Sequence, residues 1–261
     1  MPTYIHLVRH AQGFHNLTPA NHALPDPNLT PLGREQCSLL CKSFPFHSQL
    51  THLVASPFRR TLYTCLLSFE PAVRAGHKVM ALPDVQEVSN LPCDTGSPAE
   101  KLAAEFGAGA HAGTVDLGLL TPGWHDKSAG SPYAPEMGKL EARARRARVW
   151  LREVGRRWGA ENPGKDAHIV VVTHGGFLHF LTQDWDGMNM QKGTGWENTE
   201  WRSYEFANGE EDEEARLRET EVSWRRRRGS AKGLTETEQM ELRMAIGKAM
   251  EEEFGGEKKA E

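Results

Sequence analysis

A chain of 261 residues with 38% hydrophobic and 25% charged side chains has a globular composition and length for one large domain or two small ones. No run approaches the ~18 apolar residues that span a bilayer, four cysteines do not make a disulfide framework, and Met1-Pro2-Thr3-Tyr4 lacks the parts of a signal peptide; a cytoplasmic or nuclear location, with no membrane partner, is expected. The net charge of −4 sits in residues 209–261, with 15 acids against 11 bases, while residues 1–208 are balanced, which excludes the basic face of a nucleic-acid binder.

In chain order, Tyr4-Ile5-His6-Leu7-Val8 predicts a short buried strand with Arg9-His10 at its carboxyl end. Residues 11–29 read as loop. Thr30 and Pro31 mark the cap and first position of a helix. His52–Ala55 is a second strand, and a helix follows from about Arg59 to Phe69, with Leu62, Leu66 and Phe69 on one face. Lys78–Leu82 is a third strand. Across 83–135 only Glu100 to Phe106 looks helical, and the rest, especially Thr121 to Pro135, reads as loop or lid. Met137, Leu140, Ala144, Ala147, Leu151, Val154 and Trp158 then form a core-facing helical stripe with the arginines expected on the opposite side. His168–Val172 is the most apolar strand, and it ends in Thr173-His174-Gly175-Gly176 before another helix. Trp201–Phe206 is a last strand.

Strands alternating with helices predict a three-layer α/β/α sandwich with a mainly parallel sheet over residues 1–208. From Gly209 the composition turns to Glu, Arg and Gly, so residues 209–261 are expected as a charged tail. Within it, Thr235-Glu236-Thr237-Glu238 matches a capping box for a helix to about Phe254. Arg225–Arg228, with Glu219 and Glu221 nearby, reads as a solvated charged face.

Ligands of open α/β sheets bind outside the carboxyl ends of the strands. His10 and His174 both sit at such ends. The helix opened by Gly175 is expected to point N–H groups at an anion, and Ser56-Pro57-Phe58-Arg59-Arg60-Thr61 brings guanidinium groups to the start of another helix. Together these groups suit a phosphate dianion. A neutral imidazole is nucleophilic near pH 7, arginines bind phosphoryl oxygens in bidentate fashion, and a leaving alkoxide needs a proton from a carboxylic acid. Glu87, beyond the third strand, is the best-placed acid, with Asp84 and Asp94 next.

At these residues the chain resembles the histidine phosphatase superfamily, branch 1, with its phosphoglycerate-mutase-like fold. The motifs that carry the resemblance are Leu7-Val8-Arg9-His10-Ala11-Gln12-Gly13-Phe14-His15-Asn16, Leu29-Thr30-Pro31-Leu32-Gly33, Ala55-Ser56-Pro57-Phe58-Arg59-Arg60-Thr61 and Val172-Thr173-His174-Gly175-Gly176. The resemblance implies His10 as the phosphorylated nucleophile and Glu87 as proton donor. It implies that Arg9, Arg59 and His174 hold the phosphoryl group, with help from Asn16 and Gly175. Ala11 stands where the family usually has Gly, a small change. The implied activity is a metal-independent phosphomonoesterase with no cofactor, acting on a small phosphorylated metabolite. A phosphoglycerate-mutase-type phosphotransferase and a non-catalytic phospho-ligand binding module are the alternatives.

A lone histidine at a strand end is more often structural; it is the set of His10, Arg9, Arg59 and His174 that argues for catalysis. No cysteine is followed six positions on by arginine, as a cysteine phosphatase needs, and no GxSxG elbow, GxxxxGK[ST] loop or HExxH pair occurs. Cys93–Ser97 and Trp124–Lys127 are candidate pocket walls, and His15 and His22 either line the pocket or decorate the loop.

Overall fold

Apolar segments flanked by turn residues become strands that alternate with helices, as a computed structural model shows for residues 1–189, 193–209 and 211–254. The first half runs β1 (Thr3–Arg9), α1 (Pro31–Ser43), β2 (His52–Ala55), α2 (Arg59–Ser68), α3 (Glu70–Arg74), β3 (Val79–Ala81), α4 (Ala99–Phe106) and β4 (Val115–Asp116). The second half runs α5 (Met137–Glu161), β5 (Ala167–Thr173), α6 (Gly175–Thr182), β6 (Trp201–Phe206), β7 (Leu217–Glu219), α7 (Glu221–Arg228) and α8 (Glu236–Phe254). Thr30 caps α1 by accepting from Gly33 N at 3.0 Å, with Pro31 at the first helical position. No helix among the described residues is long and apolar enough to cross a membrane.

Among the described residues the sheet has seven strands in the order β4-β3-β2-β5-β1-β6-β7. The pairs from β4 through to β1 are parallel, while β6 and β7 add antiparallel at one side. Strand periodicity of two splits the core into two layers. Ile5, Leu7, Ile169 and Val171 pack against α5 and α6 through Leu140, Ala144, Leu151 and Phe177. Val8, Val170 and Val172 pack on the other face against Leu40, Leu62, Cys65 and Phe69 of the α1–α2 side. The three-layer α/β/α sandwich is therefore present.

Register places the chemistry. Arg9 pairs with Thr173 across β1 and β5, so His10 and His174 leave adjacent central strands side by side. Ala55 of β2 pairs with Val172, which brings Ser56 and the start of α2 to the same edge.

The division at Asn208 is corrected. Leu217–Glu219 pairs with β6 inside the expected tail, and Ile246 and Met250 of α8 are buried in the α5–α6 core layer. These apolar side chains escape water only by packing on the domain, which outweighs the charged composition around them. The capping box at Thr235 forms, with Glu238 N donating to Thr235 Oγ1 at 3.3 Å and Thr235 N to Glu238 Oε2 at 2.7 Å. Arg226 and Arg227 are not a free charged face either: Arg226 lies over the Trp201 ring, and Arg227 pairs with Glu219 at 2.6 Å.

Two further expectations change. In the 83–135 segment α4 falls where a helix is expected and 121–135 is loop, but the short β4 joins the sheet unexpectedly and Trp124 is buried against Phe58. On α5 two arginines point inward, since Arg143 and Arg148 are buried and donate to backbone carbonyls. A long guanidinium reaches loop and helix-end carbonyls that no apolar side chain satisfies, so helical periodicity misplaces it.

Candidate active site

His10 sits just past β1, almost fully buried. Its Nδ1 lies 2.8 Å from Ala11 O. A carbonyl only accepts, so Nδ1 carries the proton and Nε2 holds a lone pair. Burial, followed by the charges of Arg60 and Arg9 and the neighbouring His15, keeps its pKa well below the usual value; the ring is neutral. The His10 ring centroid lies 5.2 Å from that of His174 and 5.3 Å from that of His15. His15, left open as pocket wall or loop decoration, is thus packed on the first histidine.

His174, the N-cap of α6, is completely buried. Arg60 Nη2 approaches its Nδ1 at 3.0 Å. A guanidinium only donates, so Nδ1 accepts and Nε2–H donates to Ser56 Oγ at 2.8 Å. Burial and the Arg60 charge hold this imidazole neutral too.

The arginine assignment is corrected. Arg59 turns away from the histidines and pairs with Glu105 at 2.8 Å, beside the Tyr63 hydroxyl that donates to the same carboxylate. Arg60 faces the site instead: it is fully buried, lies over the Phe58 ring at 4.8 Å, and binds Asp94 Oδ1 at 2.8 Å and Cys93 O at 2.6 Å. Neighbouring helical residues point about 100° apart. Spacing puts Arg59 with Tyr63 on one face and Arg60 with Thr64 on another without saying which meets the site; that is decided by tertiary contact, Thr64 Oγ1 accepting from Ala11 N at 3.0 Å. Arg9, largely buried, donates to Trp196 O.

Glu87 reaches the start of α6. Its Oε1 accepts from Val88 N and Phe177 N, each at 2.9 Å, and its Oε2 from Gly176 N at 3.2 Å. The first-turn donors expected to meet an anionic ligand are thus engaged by a protein carboxyl. Gly176 permits this approach, because a Cβ there would stand 2.7 Å from Glu87 Oε1; one at Gly175 would stand 2.3 Å from Thr194 Oγ1. Burial, and secondarily Asp94, raise the Glu87 pKa above the ordinary carboxylate range. The other two candidate acids are engaged: Asp84 pairs with Arg146 at 2.7 Å, and Asp94 with Arg60.

Asn16 is exposed, and its Oδ1 accepts from Gly13 N at 3.0 Å. It lines a groove of about 580 Å³ with Arg9, Gln12, His15, His22 and Glu197. Asn198, which sequence reasoning missed for want of any motif around it, donates from Nδ2 to His10 O at 2.9 Å. Of the candidate walls, Asp94 and Lys127 are buried near Glu87 and Arg60, whereas Trp124 belongs to the core. Among the described residues no group of three His, Cys, Asp or Glu is placed to hold a metal ion.

The family model of the histidine phosphatase superfamily (branch 1) matches residues 5–220, running past the expected boundary at Asn208. Among solved structures, the ecdysone phosphate phosphatase from Bombix mori in complex with tungstate is 14% identical, over 91% of this chain and 99% of that one, with a TM-score of 0.54. The structure described as mycobacterial hydrolase 2 is 18% identical, over 95% and 99% of the two chains, with a TM-score of 0.51. At such identities the likeness is one of fold. No curated protein matches the chain.

Proposed function

The chain belongs to the histidine phosphatase superfamily, branch 1, and is a phosphatase of that family; from this premise we propose that it is a metal-independent phosphomonoesterase working through a phosphohistidine at His10. The observation that carries the reading is the neutral His10 ring, with Nδ1–H held by Ala11 O and the buried Arg60–His174 pair beside it. The Nε2 lone pair attacks phosphorus. As the P–N bond forms, the P–O ester bond breaks, and the leaving oxygen takes the Glu87 proton. Arg60, with Arg9, stabilises charge on the phosphoryl oxygens. Water then attacks the phosphohistidine and yields its proton to the Glu87 carboxylate; phosphate leaves and neutral His10 returns.

The groove beside Arg9 and His15 supports a small polar metabolite as substrate, because Gln12, Asn16, His22 and Glu197 offer hydrogen bonds rather than an apolar wall. A cytoplasmic location accords with the four cysteines, all free thiols.

The test is hydrolysis of 4-nitrophenyl phosphate in excess EDTA, with acid- and base-quenched samples assayed for phosphoenzyme. An acid-labile, base-stable phosphoenzyme that disappears in His10→Ala and slows in His174→Ala is the expected result. A strict metal requirement, or a phosphoenzyme that survives His10→Ala, overturns the proposal.

A further inference from the structure

Two buried basic side chains converge on the peptide that carries Glu87. Lys127, from the 121–135 segment, is only 6% exposed, and its Nζ donates to Glu87 O at 2.6 Å. Arg143, on α5, is fully buried; its Nη2 donates to the same carbonyl at 3.2 Å and its Nη1 to Gln86 O at 2.9 Å. The Arg143 guanidinium also lies 4.3 Å from the centroid of the Phe177 ring, and Phe177 N donates to Glu87 Oε1. Gln86 Nε2 returns a bond to Trp124 O at 2.8 Å. The Glu87 carbonyl is thus held by Lys127 and Arg143 and its carboxyl by Val88 N, Gly176 N and Phe177 N, and the Phe177 ring under Arg143 links the two sets.

The hydrogen-bond partners of Lys127 and Arg143 are backbone carbonyls, while the nearby carboxylates act on them only at longer range, Asp94 and Glu87 on Lys127, Asp84 and Glu87 on Arg143. Burial on neutral acceptors is costly for basic groups: it holds the Lys127 pKa well below its usual value and the Arg143 pKa at about 10, and an apolar filler would hold a loop at less cost. What these donors add is direction: each bond to Glu87 O fixes the orientation of the peptide plane that ends at Glu87 Cα, the atom from which the Glu87 side chain departs. We propose that Lys127 and Arg143 are positioning residues that set the Glu87 carboxyl at the start of α6 for proton transfer to the leaving group. Through Lys127 and Trp124, the 121–135 segment also places the acid. This inference rests on Glu87 as the general acid.

The test compares kcat/KM on an alkyl phosphate with that on 4-nitrophenyl phosphate, whose leaving group hardly needs a proton. Glu87→Gln lowers the alkyl phosphate by about 10²-fold or more and the nitrophenyl ester much less. Lys127→Met and Arg143→Met follow the same pattern, with an alkyl-selective loss of about 10- to 100-fold from displacement of the acid. Arg143→Lys recovers part of it, and Lys127→Met adds no further selectivity in the Glu87→Gln background. Equal losses on both esters, or a selective loss that persists without Glu87, overturn the positioning role. If Glu87→Gln itself shows no selectivity, the acid assignment fails, a result distinct from the first. Should Lys127→Met not fold, Lys127→Gln, a polar side chain one atom too short to reach Glu87 O as Lys127 does, gives the same reading: an alkyl-selective loss supports the proposal, and a uniform loss or no loss overturns it.

Discussion

Arg60 Nη2 meets His174 Nδ1 at 3.0 Å, and this contact singles out one of two adjacent arginines for the site. Because the guanidinium donates, His174 is held as the neutral Nε2–H tautomer; the same Nη2 donates to Asp94 Oδ1, and Nη1 is anchored by Cys93 O. Arg59, one position earlier, spends its charge on Glu105 at the half-exposed face of α2.

Arg60→Ala is therefore expected to lower kcat/KM for 4-nitrophenyl phosphate by about 10²–10³-fold, the usual loss for a transition-state donor. Arg60→Lys restores little, since a point charge does not reproduce the guanidinium fork. Arg59→Ala changes kcat/KM by less than about threefold, because a partly exposed ion pair contributes only ~0–1 kcal/mol. The opposite order of losses would return the phosphoryl-binding role to Arg59.

The pH–rate profile follows from two displaced pKa values. His10 titrates well below its usual range, so the neutral nucleophile persists as pH falls under 6.5. Glu87 is raised, so its proton is present at mildly acidic pH and is lost as pH rises through that elevated pKa. With an alkyl phosphate, kcat/KM is expected to decline on the alkaline side, and Glu87→Gln to flatten that limb. Comparing the two proteins on one substrate cancels the substrate's own ionisation. An alkaline limb unchanged by Glu87→Gln would remove Glu87 from the profile.

Stability depends on pH through the buried histidines. His6 is lowered to about 3 by burial, then by His168 and Arg226, and His10, His15 and His174 are also depressed. Above the unfolded value of about 6.5 these groups are neutral in both states. Below it the unfolded chain takes up protons that the folded chain refuses. Each group then costs up to about 1.4 kcal/mol of stability by pH 5.5. The melting temperature should fall between pH 7 and 5.5, and His6→Phe, far from the phosphate groups, should make that fall shallower. A melting temperature flat over this range contradicts the depressed values.

Removing residues 209–261 should yield insoluble or unfolded protein, because it strips β7 from the edge of β6 and uncovers the α5 layer. Removing only residues 236–261 exposes the sites of Ile246 and Met250, a loss of roughly 3–6 kcal/mol at ~1.5–3 kcal/mol per buried side chain. Expression yield and thermal melting read both. A chain ending at Asn208 that melts like the whole protein would make the last 53 residues a separate tail after all.

Local pattern determined a good deal. Continuous apolar runs marked β1 and β5, Thr30-Pro31 marked the start of α1, and the stripe from Met137 marked α5, because burial on a regular element imposes a period that one segment displays by itself. The four motifs placed His10 and His174 at strand ends for the same reason. What tertiary structure decided are relations between distant segments. Glu87 meets α6 across 89 and 90 residues of chain, and β7, at three residues, has too little length to show a period and exists by pairing with β6. The choice between Arg59 and Arg60, and the inward turn of Arg143, depend on which carboxylate or carbonyl lies opposite. Hydrogen bonds and ion pairs act over a few ångströms in space, while periodicity records only burial along the chain.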